Sequence, residues 1–402
     1  MIRSPQQLAG FALLLAVSPL AHTSPWAALW TTPCILLASV LITWGAESAQ
    51  FFVAQGFALA ILAWMQTLPE FAVEAVLAWH RETALLLANL TGALRLLTGL
   101  VWPAIYLTAA FIHRRNTHQP LRKIPLDLHH SVEVIALIPP LLYAFVIWWK
   151  ANLHFYDACV LTVFYAAYLL ILTRLPPVEK EGVEDLEAIP RAIVQAPRAK
   201  RIAAICACFF VGGALIYFVA EPFLGSIIAV ATALGIPTFI VIQWFAPVIS
   251  EFPELASSFY FARQPGKASV GFMNIASSNI NQWTLLVAML PVVFSISAGS
   301  ITGFSLDPQQ QDELLLTIAQ SVAALMLLLN MEIDWWEALL MLILFAAQFV
   351  VPAFLGEPSR RFVTLAFFIW IAIELIRIAV RRQLPPALAS FAETWRTQVT
   401  VP

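Results

Sequence analysis

Two stretches of this 402-residue chain place a glutamate directly behind a proline inside an otherwise apolar run. The first reads Gln66-Thr67-Leu68-Pro69-Glu70-Phe71-Ala72, the second Ser250-Glu251-Phe252-Pro253-Glu254-Leu255-Ala256-Ser257. A carboxylate in a bilayer costs a few kcal/mol, so it needs a compensating partner. Proline lacks an N–H and frees the carbonyl one turn back, and that oxygen can turn toward a cavity. Carboxylate, hydroxyl and freed carbonyl together make a hard oxygen site suited to Ca2+ or Na+. A single copy reads equally well as a proline kink whose glutamate pairs with a neighbouring helix. Two copies in corresponding positions favour the cation site.

Each of these runs is followed by a second polar signature. In the first half it is Asn89-Leu90-Thr91-Gly92-Ala93, and in the second Asn274-Ile275-Ala276-Ser277-Ser278-Asn279-Ile280-Asn281-Gln282. The spacing from Glu70 to Asn89 nearly equals that from Glu254 to Asn274. Small residues such as Gly92, Ser277 and Ser278 let helices approach closely, while the amides supply ligands or cross-helix hydrogen bonds. This is an internal repeat. Lesser candidates surround it. Glu74 stands one turn beyond Glu70 as a relay for protons or ions. Glu47 and Glu221 read as helix-end residues, solvated there or lining an access route, and His129-His130 as an interfacial cap.

The elements that position these groups must be membrane helices. The chain is 60% hydrophobic and only 11% charged, with a mean hydropathy of +0.81. A soluble domain carries about 25% charged residues, so a water-facing globule is excluded. Apolar segments lie near 7–22, 30–53, 57–79, 84–112, 132–150, 154–173, 202–230, 237–262, 270–299, 312–330, 335–353 and 361–380. They match the roughly 20 residues that a helix needs to cross a core of about 30 Å. The runs are continuous rather than alternating, so strands are not expected. Arg3 followed by Leu8 to Leu20 reads as a retained first helix rather than a signal peptide, because Ala16-Val17-Ser18 is a weak cleavage site.

Loop charge sets the orientation. The 113–130 loop, with Arg114, Arg115, Arg122 and Lys123, and the 174–201 linker fall on one side, assigned as cytoplasmic, together with Arg263 and Lys267. The Gly299–Gln311 loop, without a basic residue, falls outside. Arg360 and Arg361 also fall outside and conflict with the rule. On this topology the Glu70 and Glu254 helices run in opposite directions, the design of secondary transporters built from inverted repeats. Trp148, Trp149, Trp335 and Trp336 fit an aromatic belt. Cys206 and Cys208 project from different faces of a helix and read as packing residues. No phosphate loop, catalytic triad or zinc spacing is present in the sequence, so neither an enzyme nor an ATP-driven pump is expected.

The two motif pairs resemble the alpha-repeats of the sodium/calcium exchanger (calcium:cation antiporter) superfamily, whose motifs run roughly G-T-S-L-P-E-L and G-N-x-x-G-S-N-I-x-N. Ser277-Ser278-Asn279-Ile280 follows the second motif with one change. The resemblance implies an all-α, polytopic fold of five plus five inverted helices, with extra N- and C-terminal helices. It implies a central cation held by Glu70 and Glu254, flanked by Gln66, Thr67, Ser250 and Glu251, with Asn89, Asn274, Ser278, Asn279 and Gln282 on the following helices. In the first repeat the family's ligand positions fall at Ala93 and Leu97, which cannot bind a cation. Arg95 between them either takes the place of a bound cation, pairing with Glu70 or Glu251, or faces the headgroups.

The expected organisation is an N-terminal helix (1–29), a first transmembrane half (30–175), a cytoplasmic linker (176–201), a second half (202–355) and a C-terminal helix with tail (356–402). The expected activity is antiport of Ca2+ or a similar cation against Na+ or H+ in the inner (plasma) membrane, without a cofactor. The partners are lipid and small inorganic cations, not nucleic acid, and a homodimer is compatible with the sequence. The alternative is a sensor or scaffold that keeps the exchanger fold without transport. A membrane enzyme using paired carboxylates is a third, disfavoured reading.

Overall fold

The computed structural model describes residues 24–49, 51–52, 64, 67–175, 183, 186 and 188–399. The segment expected at 7–22, the side chain of Gln66, the first part of the 57–79 segment and most of 176–187 lie outside the described residues. Among the described residues, nine helices are long and apolar enough to cross a membrane, or ten if Thr238–Ser250 and Glu254–Ala262 form one broken span. The chain is an all-α polytopic membrane protein.

The segment read as one helix over 237–262 is interrupted. One helix ends at Ser250, Glu251 caps it through an N–H bond to Pro247 O at 2.8 Å, and a new helix starts at Phe252. Strands, not expected, are present among the described residues in four pieces of three residues each: β1 (Lys123–Pro125), β2 (Asn152–His154), β3 (Gly303–Ser305) and β4 (Glu332–Asp334). Pieces this short carry no alternation that a sequence could display. β1 pairs antiparallel with β4, and β2 with β3. The Lys123 ammonium donates to Glu332 at 2.7 Å across the first ribbon, and that hydrogen bond, with the charge behind it, raises the lysine's pKa.

The ribbons fix the direction of the helices between them. The chain leaves β1, passes through Leu128–His130, Ser131–Ala136 and Ile138–Lys150, and arrives at β2. It leaves β3, passes through Pro308–Leu329, and arrives at β4. Because β1 pairs with β4 and β2 with β3, the two spans must run in opposite directions. Corresponding residues keep a constant offset of 180 positions (Lys123 to Gly303, Asn152 to Glu332, Phe155 to Trp335). The inverted repeat is therefore a property of the backbone. Both following helices open with a capping box, His154 with Asp157 and Asp334 with Glu337, again 180 apart.

Contacts divide the chain into two interleaved units, Met1–Leu90 with Pro177–Pro253 and Thr91–Pro176 with Glu254–Pro402. In the first, Ala28–Ala49 packs against the 37-residue helix Arg198–Leu234. Thr31 Oγ1 meets Ser226 Oγ at 2.9 Å near one end, while Gly45 faces Cys208 near the other, so the pair is antiparallel. At Gly212 an added Cβ would lie 2.7 Å from Ile42 Cγ1, which shows how closely these helices approach. Leu37, Leu41, Ile42, Trp44, Leu215 and Ile216 fill the seam. Glu221, expected near a helix end, sits deep within Arg198–Leu234 and pairs with His80 at 3.4 Å.

In the second unit, the last helix of each half packs against the other half's motif helix. Phe155–Leu172 lies on Gln282–Ala298, and Trp335–Leu355 lies on Leu97–Thr117. Trp149 and Trp335 are exposed at helix ends, as an interfacial belt requires.

Candidate functional site

Both prolines stand in the first turn of a helix rather than in a helix interior. Pro69 is the second residue of the Leu68–Trp79 helix and Pro253 the second of Phe252–Ala262. The first turn is where a missing N–H costs nothing. Each motif thus opens a helix, in the second repeat across a 61° bend after Thr238–Ser250, and Glu70 and Glu254 fall in the first turn. Unsatisfied N–H groups and the helix dipole favour a negative charge there. All four motif carboxylates, Glu70, Glu74, Glu251 and Glu254, are buried, as are Thr67 and Ser250. Thr67 Oγ1 donates to Trp64 O at 2.8 Å, and Ser250 Oγ to Ala246 O at 3.2 Å. Both hydroxyl oxygens keep lone pairs available.

Within the first unit, Asn89 Nδ2 donates to Glu74 Oε1 at 3.2 Å, and Glu251 lies within electrostatic reach of Glu74. The other Glu74 oxygen is buried with no hydrogen-bond partner among the described residues. In the second unit, Asn274 Nδ2 donates to Ser257 Oγ at 2.9 Å and to Ser258 Oγ at 3.2 Å. Glu74 and Ser258 each stand four residues beyond their motif glutamate. The repeats therefore share one bond with different acceptors: a carboxylate in the first, hydroxyls in the second. Helix contact is tight there, for a Cβ at Gly271 would meet Ser258 O at 2.9 Å.

The helices carrying the asparagines match over their whole length. They start at Thr83 and Ala268 and pass into π turns at Leu97 and Gln282, all offset by 185 like Asn89 and Asn274. A π turn widens the helix locally and frees backbone groups. Along the second, Ser278 Oγ and Asn279 Oδ1 are buried with no hydrogen-bond partner among the described residues. Such oxygens carry a desolvation cost that a bound cation would remove. Gln282 is buried beside them in sequence. The matching first-repeat positions, Ala93, Leu94 and Leu97, are buried and apolar.

Arg95 does not face headgroups. It is fully buried and its Nη2 contacts Glu313 Oε2 at 2.5 Å. Nε donates to Thr91 O at 3.0 Å and Nη1 to Gln348 Oε1 at 3.4 Å. Gln320 Nε2 donates to Arg95 O and to Thr98 Oγ1, and Gln348 Nε2 to Gln320 Oε1 at 2.5 Å. Arg360 forms an ion pair with the second Glu313 oxygen, and Arg361 pairs with Asp312 at 2.7 Å. Both arginines that conflict with the loop-charge rule thus have a carboxylate partner on the Pro308–Leu329 helix. No local sequence signal marks Glu313, Gln320 or Gln348, because their partner Arg95 lies more than 200 residues away along the chain. Among the described residues no three His, Cys, Asp or Glu side chains form a metal-binding group.

The sequence model described as "Sodium/calcium exchanger protein" matches residues 23–174 and 205–354. The crystal structure of the H+/Ca2+ exchanger CAX is similar with a TM-score of 0.84 and 31% identity, over 97% of each chain. The structure of native YfkE is similar in fold, with a TM-score of 0.60 and 15% identity over 90% of this chain and 98% of that one. So is the sodium-calcium exchanger NCX_Mj soaked with 10 mM Na+ and zero Ca2+, at 0.52 and 18% over 80% and 99%. No curated protein matches the chain. With the family match spanning both inverted halves, the chain belongs to the sodium/calcium exchanger family.

Proposed function

We propose that the protein is a secondary antiporter of the inner (plasma) membrane that exchanges Ca2+ for H+. The observation that carries this reading is the asymmetry of the motif helices. Ser278 and Asn279 present unpartnered buried oxygens, while Ala93 and Leu97 present none. A site with one polar flank serves a single divalent ion, and the positions for several sodium ions are depleted. Extra buried carboxylates, Glu74 and Glu251, supply proton acceptors instead. The likeness to a structure named as an H+/Ca2+ exchanger supports the same counter-ion. Glu70 and Glu254 would be the principal ligands. Thr67, Gln66, Ser250, Glu251, Asn89, Asn274, Ser278, Asn279 and Gln282 would complete the set alternately from each side. The β1 end, with its basic loop, would face the cytoplasm together with the central linker.

The test is 45Ca2+ uptake into proteoliposomes under an imposed H+ or Na+ gradient, with Glu254→Gln as control. Proton-driven uptake abolished by the substitution supports the reading, and uptake driven only by Na+ replaces the counter-ion. No uptake of any cation by folded protein supports the non-transporting alternative instead.

A further inference from the structure

The 180-residue offset pairs buried and half-buried groups that no motif marks. Glu133 corresponds to Glu313, and Tyr168 to Gln348. Each carboxylate lies in the early part of its span, Glu133 near the β1·β4 end and Glu313 near the β2·β3 end. Their surroundings differ in kind. Glu313 is held between Arg95 and Arg360, two guanidiniums that stay protonated. The counterpart of Gln348's partner Arg95 is, by the 185-residue offset, Ile280, which brings no charge. Glu133 has instead His130, with Nδ1 at 3.5 Å from Oε1, and its Oε2 is buried with no hydrogen-bond partner among the described residues.

We infer that Glu133, paired with His130, is the group through which the transporter exchanges protons with the solution at its β1·β4 end. Glu313, its counterpart, is clamped between two arginines and takes no part. The inference rests on the proton-coupled reading above. An imidazole can lose its charge and so release the carboxylate beside it, whereas two arginines keep theirs and hold the carboxylate clamped. The Glu133 side chain is 14% exposed and that of His130 26%, so water reaches the pair from one end. On the inner side Tyr168 lies within electrostatic reach of Glu133, and its hydroxyl is in hydrogen-bonding reach of Ser277. Ser277 directly precedes the candidate ligand Ser278, so the pair joins the end of the bundle to the ligand helix within one unit. The step is a proton moving between water and the Glu133 carboxylate, with no other bond made or broken.

The neighbouring elements bring few competing charges. Asp127 stands just before His130, and Phe155–Leu172 adds Tyr165 beside Tyr168. The C-terminal helix Pro386–Thr394, which packs on Ser131–Ala136, carries only Glu393. Ala268–Asn281 carries no titratable group. Ile138–Lys150 and Pro308–Leu329 hold theirs at or toward the β2·β3 end, in the Tyr143–Asp157–Lys150 cluster and at Asp312 and Glu313.

The experiment compares wild type and Glu133→Gln, as full-length protein in liposomes, in two assays. One is 45Ca2+ uptake driven by a pH gradient, the other 45Ca2+/40Ca2+ self-exchange without a gradient, which needs no proton. The expected result is a loss of at least about tenfold in the driven rate, with self-exchange retained. Driven uptake equal to wild type, or a parallel loss of both, overturns the inference, the second because it marks Glu133 as structural. His130→Gln should displace the pH dependence of driven uptake while sparing self-exchange, and an unmoved profile counts against the pair. Wild type without proton-driven uptake overturns the reading of the transporter itself, a failure distinct from any effect of the variants.

Discussion

Arg95 and Glu313 are 218 residues apart in sequence, and their side chains meet at 2.5 Å in a wholly buried ion pair. Removing one partner of such a pair leaves an uncompensated charge and costs about 3–5 kcal/mol. Arg95→Leu should therefore lower the thermal unfolding temperature in detergent strongly. Glu313→Gln should lower it at least as far, because Arg360 loses the same carboxylate. Unfolding unchanged by either substitution would show that the pair is not formed.

The π turn beside Arg95 brings Gly99 against the other half of the protein's second unit. A Cβ there would lie 2.4 Å from Phe345 Cδ2 and 2.7 Å from Gln320 Nε2. Gly99→Ala is expected to destabilise by about 1–3 kcal/mol through overpacking. Both obstacles are side-chain atoms, so Phe345→Leu should recover part of the loss in the double variant. Equal stabilities for the single and double variants would exclude the clash as the cause.

Much of this architecture was legible before any coordinates, and the rest was not, for physical reasons. Proline next to glutamate in an apolar run is a costly local feature, so its recurrence at Pro69-Glu70 and Pro253-Glu254 marked both repeats. The opposite directions of the two halves followed from loop charge. Where each proline falls within its helix is not legible, because a helix start and a helix interior share the same local sequence. The ribbons escaped because three residues cannot show periodicity. Arg95 was singled out, but its partner Glu313 could not be found from local pattern. The offset between the halves would have aligned Glu313 with Glu133 had it been followed past the motifs.

Gly303 tests the ribbon that orients the two halves. A Cβ at this position would lie 2.3 Å from Leu153 O and 2.6 Å from His154 Cα. These are main-chain atoms, so no truncation of a neighbouring side chain can relieve the conflict. Gly303→Ala should separate β2 from β3, and hydrogen exchange at their amides should rise while that at β1 and β4 stays unchanged. Protection retained in β2 and β3 would refute the contact.

The shared asparagine bond has a carboxyl acceptor in the first repeat and hydroxyl acceptors in the second. Glu74→Gln keeps an acceptor for Asn89 Nδ2 and has nearly the same shape, so the fold should lose less than about 1.5 kcal/mol. Asn89→Leu deprives a buried carboxylate of its donor and should cost roughly 1–3 kcal/mol. Asn274→Leu deprives only the Ser257 and Ser258 hydroxyls, which can rotate to carbonyls, and should cost less. Combining Asn89→Leu with Glu74→Gln should give a loss smaller than the sum of the singles, because the carboxyl that needed the amide is gone. A double-mutant cycle by thermal unfolding reads this coupling, of order 0.5–3 kcal/mol. Additive losses, or a larger loss at Asn274 than at Asn89, would mean that Glu74 is already neutral in the folded protein and that the carboxylate bond is not what distinguishes the first repeat.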